Sequence, residues 1–155
     1  MIERLRRDPR PLVLAVVALA IIGAFFAVVA PLFSTSSAPS ADLAGAIPST
    51  ASANAPLEID LGLDNTSYTL ISPICVSATV AGPLLVERAV FEGLDNEPFH
   101  NGRVCGGGLN GQETISVKMF LAPQGPGTAT IAFAPTQGTR MLGNPLRGTI
   151  ALLNQ

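Results

Sequence analysis

Histidine is almost missing from this chain: one residue in 155, beside two cysteines and a single lysine. Those counts exclude metal centres built from several His or Cys ligands. A formal charge of −2 supplies no basic field for nucleic acid, so none is expected as a partner. Charge of either sign is scarce, at 13% of residues. Fifteen Gly and 13 Pro argue against a helical bundle or coiled coil, because both residues interrupt helices. What the chain has in quantity is apolar side chains, 48% of residues, and their excess is concentrated near the N-terminus.

The run Leu12 to Phe33 is 22 residues without a charge, a histidine or an amide side chain. At about 1.5 Å per residue it reaches roughly 33 Å as a helix, enough to cross a hydrocarbon core of about 30 Å. Arg4, Arg6, Arg7 and Arg10 precede it, and no Lys or Arg follows until Arg88. This asymmetry predicts a cytoplasmic tail over 1–11, one transmembrane helix over 12–33, and an extracytoplasmic remainder in the periplasm or at the cell surface. The competing reading is a cleaved signal peptide, with a cut among Ser34 to Ser37. Against it, signal h-regions run only about 7–15 residues. Ala20, Gly23, Ala24 and Ala27 recur three and four apart, which gives a small-residue face for a partner helix or a second copy.

Residues 34–56 hold eight Ser/Thr, seven Ala and three Pro with no aromatic residue, so the composition predicts a flexible linker. From Leu57 the period changes to two. Leu57, Ile59, Leu61 and Leu63 alternate with Glu58, Asp60 and Gly62, and Asp64-Asn65 reads as the turn that follows. The same alternation runs through Ile74 to Val80 and Ile115 to Leu121. Leu84 to Glu92, Thr128 to Ala134 and Thr149 to Leu153 complete six or seven short strands separated by Gly, Pro and Asn signals. The expected fold over 57–155 is mainly β, an antiparallel sandwich of immunoglobulin-like or related topology. Cys75 and Cys105 are expected to pair, closing a 30-residue loop worth roughly 3.5 kcal/mol and tying a strand to the loop Cys105 to Gly108.

Candidate chemistry is thin. His100 is the one available general base, and no Gly-x-Ser-x-Gly elbow accompanies it. A blue-copper set of His100, Cys105 and Met119 lacks its second histidine. Gly-Leu-Asp-Asn occurs at 62–65 and 93–96, so Asp64, Asp95 and Glu97 are weak calcium candidates if the two turns meet. Asn65-Thr66-Ser67 fits a glycosylation sequon but reads as ordinary turn chemistry. Asp95 to Gln112 is long for a connection and rich in Asn and Gly, which makes Phe99, His100 and Arg103 its candidate binding residues.

These features point to a non-enzymatic, single-pass envelope protein without cofactor. It would act as an accessory or structural interaction subunit of a larger membrane assembly, with the bilayer and a membrane protein as partners. The alternative is a tethered module binding a small ligand or glycan through the 95–112 loop, and a remote third is a hydrolase using His100.

Overall fold

The computed structural model describes residues 38–95 and 98–154, which contain ten strands and no helix. The strands are β1 Ala41–Gly45, β2 Thr50–Ser52, β3 Leu57–Asn65, β4 Cys75–Ala81, β5 Leu84–Phe91, β6 Arg103–Cys105, β7 Thr114–Pro123, β8 Gly127–Gln137, β9 Arg140–Met141 and β10 Leu146–Leu153. Among the described residues no helix is long and apolar enough to cross a membrane. The apolar run 12–33, with Ala20, Gly23, Ala24 and Ala27, lies outside the described residues, as does Glu97.

Two sheets form a sandwich. One has four antiparallel strands in the order β1-β3-β7-β5; the other runs β2-β10-β8-β4-β6, with β9 added to β8. The pairing is antiparallel throughout except for β2 beside β10, which is parallel. Period two decides which side chains enter the space between the sheets. Ile59, Leu61 and Leu63 of β3 and Val117, Met119 and Leu121 of β7 are all buried. Ala129, Ile131 and Phe133 of β8 and Ile150 and Leu152 of β10 meet them from the other layer.

The folded unit begins well before Leu57, which corrects the flexible linker expected over 34–56 from β1 at Ala41 onward; residues 34–37 lie outside the described residues. β1 pairs with β3 from Ala41 opposite Asn65 to Gly45 opposite Leu61, and the Ala41 amide donates to the Leu142 carbonyl. Ala41 and Leu43 are buried while Asp42 and Ala44 face out, so the segment alternates like its neighbours. β2 then pairs in parallel with the end of β10, from Ala151 to Leu153, and Ala53 is buried with its amide donating to the Leu153 carbonyl. Edge pairing and a few small buried side chains order a segment whose composition alone reads as coil.

Cys75 and Cys105 are bonded, but within a sheet: they lie opposite each other in the β4–β6 register, 4.0 Å apart at Cα. The bridge therefore does not cross the sandwich, and Cys105 belongs to a short strand just ahead of the glycine-rich loop. It fixes β6, only three residues long, to the edge of the larger sheet. β5, the outer strand of the smaller sheet, carries a bulge between Val86 and Arg88 that sets Glu87 out of register. A bulge and charge at an exposed edge oppose pairing with another chain.

Replacing both Cys75 and Cys105 by Ser is expected to remove about 3–4 kcal/mol of stability, read as a lower urea midpoint with the sandwich still formed. An unchanged midpoint would contradict a structural role for the bridge.

Candidate functional site

Of the three residues expected to form a binding loop, His100 and Arg103 are paired directly across a hairpin, while Phe99 packs against the core. His100 and Arg103 exchange both backbone hydrogen bonds, at 2.8 and 3.0 Å, across a two-residue turn of Asn101 and Gly102. Both turn residues have positive φ, 52° and 74°, the backbone that an Asn-Gly pair favours in a tight hairpin. Phe99 is partly buried against the core, whereas His100 is exposed and its ring makes no hydrogen bond among the described residues. Arg103 turns onto the larger sheet and donates to the Gly138 carbonyl at 2.9 Å. Asp64 is also placed away from a calcium-like cluster: it lies on β3 and accepts a hydrogen bond from Thr114. Among the described residues no three His, Cys, Asp or Glu side chains gather as a metal site would require.

A better-built region lies where β3 ends. Asn65 is not in a turn; it is the last residue of β3 and fully buried. Its side-chain amide donates to the carbonyls of Thr69, Leu109 and Asn110 at 2.8, 3.0 and 2.8 Å. The Asn65 Oδ1 accepts from the amide and hydroxyl of Ser67. Gln112 adds a bond from its backbone amide to the Asn65 carbonyl and another from Nε2 to the Thr66 carbonyl. These bonds tie the β3–β4 loop to the β6–β7 loop. The two backbones pass so closely at Gly111 that any side chain there would meet the Tyr68 backbone, at 2.5 Å. Such a buried, satisfied network holds loops rigidly. On that platform Tyr68 is 82% exposed and Leu70 58% exposed, the two most exposed large apolar side chains among the described residues. Neither stands out by periodicity or motif. Their signal was two bulky apolar residues inside a short Ser/Thr-rich connection, where a loop has no reason to hold them.

The outer faces of the sandwich differ in charge. On the strands of the four-stranded sheet stand Asp42, Glu58, Asp60, Asp64 and Glu87, against Lys118 and Arg88. Lys118 sits opposite Asp60 and forms ion pairs with Glu92 at 3.2 Å and Glu58 at 3.7 Å. The hydrogen bond and charge of Glu92, with Asp60 and Glu58 behind them, raise its pKa above the usual lysine value. Arg88 lies over the Phe120 ring, 3.8 Å from its centre. The strands of the larger sheet carry no carboxylate, only Arg103, Arg140 and Arg147. Their outward residues are mostly Thr, Ser and Ala. Across β4, β8 and β10 these short side chains leave an open trough of about 520 Å³. It is lined by Thr79, Ala81, Thr130, Ala132, Thr149 and, at one side, Arg147.

Comparison with known proteins places the fold alone. No protein-family model matches the chain, and no curated protein sequence matches it. Among solved structures, a cohesin module from a Clostridium perfringens family 33 glycoside hydrolase superposes with a TM-score of 0.53 at 8% identity. That match covers 76% of this chain and 100% of the other. The CARDB domain of a Pyrococcus furiosus protein matches 76% of this chain and 94% of its own, with TM-score 0.49 and 13% identity. The major subunit of an Escherichia coli aggregative adherence fimbria gives 0.41 and 14%, over 76% and 96%. The class is a mainly antiparallel β-sandwich with one disulfide.

Two outcomes follow from this geometry. Asn65→Asp sets a carboxylate against three carbonyl oxygens and is expected to cost about 2–4 kcal/mol in urea unfolding; a neutral effect would contradict the network. Because the pKa of Lys118 is raised, its contribution is full below the ordinary lysine range and is lost as pH rises through the folded value. Lys118→Gln should therefore lower the melting temperature at neutral pH and low salt, but converge with the parent above that folded pKa or in about 1 M salt. A deficit unchanged by pH or salt would show that the lysine acts through packing.

Proposed function

We propose that this protein is a membrane-anchored, non-enzymatic interaction subunit of the envelope, with the sandwich outside the cytoplasm. In this reading the outer face of the six-stranded sheet docks an acidic surface of a partner in a larger membrane assembly. The observation that carries it is the separation of charge: three arginines and no carboxylate on one sheet, five carboxylates on the other. A face of one sign attracts complementary surfaces and repels like ones, so it sets which partner docks and how. Short Thr and Ala side chains lose little conformational entropy when covered, and they let another backbone approach closely. An open trough suits an extended or flat partner better than a small molecule, whose pockets are usually enclosed. The run 12–33 would supply the anchor, and Ala20, Gly23, Ala24 and Ala27 the helix-packing face within the bilayer.

The test is extraction of the full chain in mild detergent, native separation and mass spectrometry. The expected result is one discrete assembly. Arg147→Glu, an exposed change, should reduce its recovery at least about tenfold, since reversing a charge at a complementary face costs more than about 1.4 kcal/mol. Recovery only as a free monomer, or an assembly indifferent to Arg147, would overturn this reading.

A further inference from the structure

We infer that the Tyr68–Leu70 loop seats in the lipid headgroup interface of the membrane that holds the N-terminal run; this rests on the reading of residues 12–33 as a membrane anchor. The argument begins with where the chain reaches the sandwich. Ser40 precedes β1 and is bonded to the β3–β4 loop: the Thr66 amide donates to the Ser40 carbonyl at 3.1 Å, and the two hydroxyls lie 2.7 Å apart. Tyr68 is thus two residues from the point where the incoming chain is tied down. Upstream, only residues 34–37 separate Phe33, the last residue of the apolar run, from Ala38. Five peptide steps reach no further than about 18 Å, however they run. The interfacial layer on each side of a bilayer is itself roughly 5–8 Å thick. The end of the sandwich carrying Ser40, Thr66 and Tyr68 is therefore confined to the neighbourhood of the headgroups. A 23-residue flexible linker would have reached about 70 Å in polyproline form.

The side chains at that end match the place. Tyr68 and Leu70 are exposed on a loop held by the buried Asn65 amide, so their exposure is built in. Met141, 54% exposed, stands beside Arg140 on β9, which extends the same end of the larger sheet. Tyrosine favours the membrane interface, with its ring among the upper acyl groups and its hydroxyl in water, and leucine adds apolar area below it. Arginine beside them suits lipid phosphates. The effect would be to keep this end of the sandwich at the lipid surface.

The protein carries its own probe. Tyr68 is the only tyrosine and there is no tryptophan, so tyrosine emission reports this side chain alone. The full chain is reconstituted into phosphatidylcholine–phosphatidylglycerol vesicles and isolated by flotation. Lipids brominated in the upper acyl chain are expected to quench the emission, and iodide in the water to quench it at least about twofold less than it quenches N-acetyltyrosinamide. Leu70→Asp should restore iodide access. Protein that floats, yet is quenched by iodide like the free amide and not by bromolipid, would overturn the seating and leave the anchor intact. Protein that does not float would overturn both.

Discussion

One buried side-chain amide organises the end of the sandwich at which the chain enters it. Asn65 spends its donors on carbonyls from Thr69, Leu109 and Asn110, and its acceptor on Ser67. Two long connections that could otherwise move independently become one block. The same residue lies opposite Ala41, so the block also includes the start of β1. From this follow the position of the incoming chain, the outward display of Tyr68 and Leu70, and the absence of any free amide at 65 for a glycan. A network of this kind is costly to leave half made, which is why it specifies one arrangement of the loops.

The two sheets divide the remaining work. Between them lies the apolar core, which is indifferent to what the outer faces carry. The smaller sheet collects the acids and sets Lys118 and Arg88 among them, so its surface is partly neutralised from within. The larger sheet keeps three arginines, no carboxylate and a carpet of short side chains. Its Arg103 is engaged with Gly138, while Arg140 and Arg147 point to solvent from strands that contain no acid. Such a division does nothing obvious for folding, because a scattered mixture of signs would stabilise the isolated domain better. In the proposed reading it orients an acidic partner.

The long strands were readable because each buries one face: Leu57 to Leu63, Ile115 to Leu121 and Thr128 to Ala134 all carry the period of two through enough residues to stand out. β1 has the same alternation, but only Ala41 and Leu43 mark it, within a Ser/Ala/Pro background that reads as coil. Its order comes from partners β3 and Leu142, which lie far along the chain. β6 and β9 are too short for any period. Asn65 was misread for a related reason. Locally it is a turn-former, and only carbonyls 44 and 45 residues away make it a core residue. The cysteine pairing needed nothing but the count, whereas its placement inside one sheet needed the register. Phe99, His100 and Arg103 share a loop in sequence; the tight hairpin at Asn101-Gly102 sets His100 opposite Arg103, while Phe99 packs against the core.

The most direct measurement is amide hydrogen exchange across the full chain in bilayers or micelles. The account requires that the amides of Ala41, Asn65, Ser67, Ile71 and Gln112, all of them hydrogen-bonded, exchange on the slow timescale of β3 and β7. Slow exchange there would establish that the sandwich starts at β1 and is tied at Asn65. Exchange at those amides as fast as in an unstructured peptide would contradict it, because β1 would then be unpaired and Tyr68 would ride on a loose loop.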